Sequence, residues 1–294
     1  MAEAVRLEQD ERTLEGYWRA AVRPLLRNRL VLCGAGVVLA MVVLAGLASI
    51  VSPYDPVEMK VTDALKPPSS AHWFGTDRFG RDILTRTIYG SRIALAVSIS
   101  SIGAALVIGA ILGLIGGFVG GWPDLLIGRI MDVLFSFPTL VLAIAVAAML
   151  GPGLNNAALA IAVVYIPLFS RVARGPVIAE RSKEHVAAAL GLGAGSGRVI
   201  FRHILPNVLA PLIVQASVAL AFAILTEASL SYLGLGTQPP DPSWGTMLNE
   251  GRTYLETAPW MSIFPWLAIM LAVFGFNLLG DGLREVLDPQ LRGG

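Results

Sequence analysis

The chain has 294 residues, 55% of them hydrophobic and only 15% charged, with a formal net charge of +1 and a mean hydropathy of +0.67. A soluble domain carries roughly 25% charged residues, so this much apolar surface calls for lipid as well as a protein core. The near-neutral charge excludes the basic face that nucleic acid requires, and a single cysteine, Cys33, excludes a disulfide framework or a cysteine metal cluster.

The predicted elements follow in chain order. Residues 1–29 form a tail, mixed in charge through Glu15 and then basic at Arg19, Arg23, Arg27 and Arg29. The apolar run 30–51 is longer than the 7–15 residues of a signal core and reads as a retained anchor. A crossing needs about 20 apolar residues, and this gives six candidate spans. They are 30–51, about 93–119, about 130–150, about 155–173, about 208–226 and about 259–280. The third and fourth come from one uncharged run, residues 133–170, which the sequence GPGLNN at 151–156 breaks into a hairpin. Residues 281–294 are a short tail. The predicted fold is thus an all-α polytopic membrane protein with a transmembrane domain over 30–280, because helices satisfy their own backbone hydrogen bonds in hydrocarbon.

Six crossings place both termini on one side, and loop charge selects that side. The four arginines before the first span are one marker. The loop 171–206 is the other, with Arg171, Arg174, Arg181, Lys183, Arg198 and Arg202 against Glu180 and Glu184. The loop 229–258 holds one arginine, Arg252, against Asp241, Glu250 and Glu256. Both termini are therefore expected in the cytoplasm, with loops 53–92 and 229–258 outside. The loop 53–92 carries six basic residues, Lys60, Lys66, Arg78, Arg81, Arg86 and Arg92, nearly balanced by acids, and the first helix and the 171–206 loop outweigh it.

The second span contains Gly109, Gly113 and Gly117 and is followed by Gly121, a small-xxx-small series that lets another helix approach closely. A moving seam and ordinary membrane packing both account for it. Prolines 138, 167, 211, 259 and 265 lie in or near spans and are expected to kink helices. The clearest polar groups at depth are Gln215 and Asn277, with Asp132 and Glu227 at span ends. These two amides either contact cargo or hydrogen-bond between helices. An ionisable relay at mid-membrane, usual in ion-driven carriers, is missing from the sequence. Any energy for transport is then expected from another chain.

The loop 171–206 is the distinctive element. Ser182 is a candidate cap for a helix running to about Leu190. Gly191, Gly193, Gly195 and Gly197 end or bend it, and a second helix over 198–205 is expected to stop before Pro206. This helix–turn–helix either fits a groove on a partner or simply connects two spans. His185 and His203 are too isolated to make a metal site.

The stretch EHVAAALGLGAGSGRVIFRHILPN at 184–207 resembles the coupling-loop signature of permease subunits in ATP-binding cassette (ABC) importers. That signature reads Glu-Ala-Ala, three residues, Gly, nine residues, Ile-x-Leu-Pro. Ala188, Ala189, Gly193, Leu205 and Pro206 fall on it. Ala187 occupies the glutamate position, with Glu184 three residues earlier, and His203 stands at the isoleucine position. SPYDP at 52–56, PPSSAHWFGTDRFGRDILTRTIYGSRIAL at 67–95 and DVLFSFPTLVLAI at 132–144 are similar to the dipeptide/oligopeptide branch. So are EASLSYLGLGTQPPDPSWGTML at 227–248 and LREVLDPQLR at 283–292. The similarity covers residues 25–292 and is greatest to the C-type subunit. Nickel importers share the architecture.

The resemblance implies a type I importer permease fold with a cytoplasmic coupling helix, in a bacterial inner membrane. It implies a homologous B-type permease as partner and two ATPase subunits that hold ATP and Mg2+. An external binding protein would deliver peptide, or nickel in the alternative. Loops 53–92 and 229–258, with Trp73, Phe74, Tyr232, Trp244 and Tyr254, would receive it, although such aromatics also belong at the headgroup level. This chain carries no phosphate-binding loop and is expected to hydrolyse nothing.

Overall fold

The computed structural model describes residues 24–287, and every named element among them is a helix. The first, α1 (Arg29–Gly46), starts where the Asn28 side chain accepts hydrogen bonds from the Leu30 and Val31 amides at 2.8 and 3.2 Å. This is an N-cap satisfying otherwise orphaned donors. A break at Leu47 leaves residues 48–51 as one separate turn.

Next comes α2 (Ile83–Val119). Asp82 caps it by accepting from the Thr85 amide at 2.8 Å, so the helix starts ten residues before the predicted span. Its 37 residues make roughly 55 Å of helix, well beyond the roughly 30 Å hydrocarbon core. The first turns therefore belong to a layer outside the lipid.

The third predicted span, about 130–150, requires correction. It is two helices, α3 (Gly121–Phe135) and α4 (Thr139–Leu150), bent by 92° at residues 136–138. Pro138 cannot donate a backbone hydrogen bond and restricts Phe137 to extended geometry, which stops a helix there. After a turn at 151–153 the chain returns as α5 (Leu154–Arg181), carrying Pro167 and Pro176.

Then follow α6 (Glu184–Gly191), α7 (Ser196–Val199), a π-helical turn over Ile200–Ile204 and α8 (Leu205–Tyr232). Two expectations fail here. Ser182 does not cap α6, since its hydroxyl donates back to the Ala179 carbonyl at 2.8 Å and Lys183 holds the N-cap position. Pro206 does not stop a helix. It sits in the first turn of α8, and residues 196–232 run on as one 37-residue helix with the π turn just ahead of the proline. The widened turn accommodates a residue with no N–H to donate.

The last elements are α9 (Trp244–Gly251), opened by a reciprocal capping box between Ser243 and Thr246, and α10 (Trp260–Leu287). Among the described residues, five helical stretches are long and apolar enough to cross a membrane, and the bent pair supplies a sixth if counted as one span. The protein is an all-α polytopic membrane protein.

Two apolar clusters hold the bundle. One joins α2, α5, α8 and the 186–204 segment through residues such as Ile161, Phe169, Val177, Val186, Val199 and Ile204. The other joins α1, α2, α8, α9 and α10 around Ile83, Ile224, Trp244, Met261 and Phe276. Close backbone approach carries both. A Cβ at Gly109 would lie 2.6 Å from the Ile166 carbonyl oxygen, one at Gly113 2.7 Å from Ala173 Cβ, and one at Gly117 2.8 Å from Val177 Cγ1. The three glycines therefore form a seam with α5. Gly121 is the exception: it opens α3 with φ +60°, and a Cβ there would meet nothing within 4 Å. A second seam joins α10 to α1, where a Cβ at Gly275 or Gly282 would lie 2.6 Å from Val37 or Val31.

Candidate functional site

The segment 184–204 connects α5 to α8 and leaves many of its side chains exposed. Val186, Val199 and Ile204 anchor it in the core, each 0% exposed. Ala187 and Ala188 face solvent, Ala189 is half-buried, and Glu184, Gly193 and Pro206 are exposed while Leu205 is half-buried. Gly193 has φ +85°, the left-handed conformation that turns the chain between α6 and α7. Leu192 and Phe201 stand out at 90% and 69% exposed. These are costly side chains to leave in water. At the base, Glu180 is buried and accepts from Lys183 at 2.5 Å and from Asn207 Nδ2 at 3.3 Å. That carboxylate ties the end of α5 to the start of α8.

Gln215 and Asn277 come together. Both line one cavity of about 820 Å³ between α8 and α10, with Asn207, Ala210, Pro211, Val214, Val218, Asp281 and Arg284 among its walls. Both amides are half-buried, and neither has a hydrogen-bond partner among the described residues. Asp281 and Arg284 join them there, two groups not singled out from the sequence. Their signal was present: 277, 281 and 284 recur at helical spacing, which places them on one face of α10. Towards the other end of the same helix pair lies an apolar cavity of about 520 Å³, lined by Leu225, Tyr232, Trp266, Ile269, Met270 and Val273 among others.

The opposite end of the bundle is capped by the loops 52–82 and 233–259. Arg81 is buried and donates to Asp77 at 2.5 Å and to Glu250 at 2.7 Å, joining the two loops. Arg86, 1% exposed, donates to the Pro56 carbonyl at 2.9 Å. Asp82 caps α2 and also pairs with His72 at 3.0 Å. The ion-paired turn thus includes Asp77, Arg81 and Asp82, whereas Arg78 lies over the Phe79 ring. Asp63 is held below the ordinary carboxylate range, chiefly by its hydrogen bond from Lys66. Trp244 corrects an expectation. It is a core residue, 3% exposed, and its indole donates to the Thr87 carbonyl at 2.9 Å. Trp73 is 70% exposed, and Phe74 stacks on Phe264 at 3.9 Å. Glu227 is 0% exposed and holds the 233–237 turn, accepting from Ser231 at 2.7 Å and Thr237 at 3.4 Å.

Five long apolar helices and a sixth, broken one, joined by close glycine seams, define a polytopic membrane protein. Residues 87–293 match the family of binding-protein-dependent transport system inner membrane components, and residues 16–68 match the N-terminal transmembrane domain of oligopeptide transport permease C. The chain belongs to this family, the non-catalytic permease subunits of ABC importers, and within it to the C-type subunits of the dipeptide/oligopeptide/nickel branch.

The chain is 46% identical over 284 residues to the dipeptide transport system permease protein DppC of Alkalihalophilus pseudofirmus, covering 97% of this chain and 93% of the relative. It is 44% identical to the glutathione transport system permease protein GsiD of Pectobacterium atrosepticum, covering 96% and 94%. It is 43% identical to the di/tripeptide transport system permease protein DppC of Pseudomonas aeruginosa, covering 95% and 93%. In fold it is similar to the MetNI methionine ABC transporter in inward facing conformations, with a TM-score of 0.56, 19% identity and coverage of 69% of this chain and 97% of that one.

Proposed function

We propose that this chain forms half of the translocation pathway of an ATP-driven importer of short peptides, with segment 184–204 as its coupling helix and turn. The observation that carries the reading is continuity. The second half of the coupling segment, from Ser196, and the groove wall bearing Gln215 belong to the same helix, 196–232. A push on the alanine surface therefore moves the groove wall as a lever, without an intervening loop. The Glu180–Asn207 hydrogen bond makes α5 follow.

In this reading ATP and Mg2+ are held by two partner ATPase subunits, whose cleft takes Leu192, Phe201 and the face of Ala187 and Ala188. A homologous B-type permease supplies the other wall of the groove. An external binding protein delivers cargo onto the cap formed by loops 53–92 and 229–258. Both termini lie in the cytoplasm, consistent with Arg27, Arg29 and the basic 171–206 segment. The protein sits in a bacterial inner membrane. Peptide cargo is favoured over nickel because the named relatives carry dipeptide, di/tripeptide and glutathione in their names.

The test is uptake of labelled di-, tri- and pentapeptides into proteoliposomes by the purified complex with its binding protein, with a nickel lane alongside. Peptide uptake that requires ATP is expected. Uptake of nickel alone, or uptake that persists without the ATPase subunits, overturns the reading.

A further inference from the structure

The groove between α8 and α10 contains more chemistry than a passive wall needs. Gln215, Asn277, Asp281 and Arg284 all line it, and none of the four has a hydrogen-bond or ion-pair partner among the described residues. Asp281 and Arg284 are one helical turn apart and exposed, yet they do not pair with each other. Opposite charges at this spacing commonly form an ion pair. Here the carboxylate and the guanidinium are each left available, on the same face as the Asn277 amide, with the Gln215 amide on the facing helix.

We infer that this groove is a transit site for a zwitterionic peptide, in which Asp281 takes the terminal ammonium, Arg284 the terminal carboxylate, and Gln215 and Asn277 the peptide group. The inference rests on the peptide-importer reading above. Three complementarities support it. Side chains three positions apart on a helix have Cβ atoms roughly 5–6 Å apart, and a dipeptide of two extended residues spans about 7 Å at most. An amide side chain offers both a donor and an acceptor, which suits a peptide group whatever the cargo's side chains are. Arginine is suited to a carboxylate because it can donate two parallel hydrogen bonds. The site reads the ends and backbone of a peptide and leaves side chains to an open cavity of about 820 Å³. Such a site tolerates sequence and selects for free termini.

The experiment must not depend on what the binding protein selects. Cys33 is the single cysteine, so Cys33→Ser with Ala210→Cys places one thiol on the groove wall. In the assembled complex, the rate at which a small maleimide labels position 210 is measured against increasing dialanine and against N-acetyl-dialanine-amide. Dialanine is expected to slow labelling, and the blocked peptide is not. Arg284→Gln or Asp281→Asn should raise the half-protecting dialanine concentration roughly tenfold, the scale of one charge-assisted hydrogen bond. Equal protection by the blocked peptide, protection unchanged in both variants, or a thiol that the assembled complex shields completely would each overturn the inference. ATP-driven peptide uptake by the same complex separates the two levels. Uptake with no terminus-dependent protection removes the transit site alone, whereas absence of uptake removes the importer reading beneath it.

Discussion

Arg81 and Glu250 stand 169 positions apart in sequence, and their side chains meet at 2.7 Å, closing the loop before α2 onto α9. The Arg81 side chain is 2% exposed and that of Glu250 15%. Asp77 completes the charge balance from the other side at 2.5 Å. Arg86 lies within 4.0 Å of the same two carboxylates. The cap is therefore one buried network of two cations and two anions.

Breaking it from one side leaves an uncompensated buried charge. Arg81→Met should destabilise the protein by about 3 kcal/mol or more. A thermal melt of the detergent-solubilised complex checks this, and a melt unchanged from the parent would show that water already reaches these carboxylates.

The seam between α2 and α5 makes a sharper prediction. Gly113→Val puts a branched side chain where even a Cβ would be 2.7 Å from Ala173. Overpacking of this kind costs about 1–3 kcal/mol and should lower both the melting temperature and the yield in membranes. At Gly103 a Cβ would meet nothing within 4 Å. Gly103→Ala should be neutral or slightly stabilising, because a helix gains from alanine over glycine. Equal behaviour of the two variants would contradict the packing.

Trp244 tests the core under the cap. Trp244→Phe keeps an aromatic ring but loses the hydrogen bond to Thr87, which alone costs about 1 kcal/mol, and some packed volume besides. Trp244→Ala should cost about 3–5 kcal/mol, because the site is closed and a cavity remains. Guanidinium or thermal denaturation followed by tryptophan-independent circular dichroism gives both values.

The coupling reading separates surface from support. Ala188 is exposed and Val186, two positions earlier on the opposite side of the same short helix, is buried. Ala188→Arg should leave the melt unchanged and lower ATP-driven uptake roughly tenfold or more, as a bulky charge would at a packed interface. Val186→Asp should instead lower the melting temperature, since it places an unpaired charge in the core. Uptake by Ala188→Arg at the parental rate would show that the ATPase subunits contact another surface.

Much of this protein was legible in the residues themselves. Long uncharged runs specify membrane crossings because lipid admits only helices with satisfied backbones. The glycines around Gly193 marked the break between two short helices, because Gly193 turns the chain with a left-handed backbone. Gly109, Gly113 and Gly117 marked a seam because their spacing already places them on one helix face. What remained hidden depended on contacts between distant parts of the chain. The 92° turn at Pro138 and the uninterrupted helix through Pro206 arise from prolines with the same local chemistry. A π turn ahead of Pro206 absorbs its missing donor, whereas the helix before Pro138 ends at Phe135. The pairing of Arg81 with Glu250, the burial of Trp244, and the meeting of Gln215 with Asn277, Asp281 and Arg284 in one groove are likewise products of tertiary structure. Sequence by itself determined which segments enter lipid, since that is a property of each segment's own transfer free energy. Packing decided which faces meet, since that depends on the shapes and charges of both partners at once.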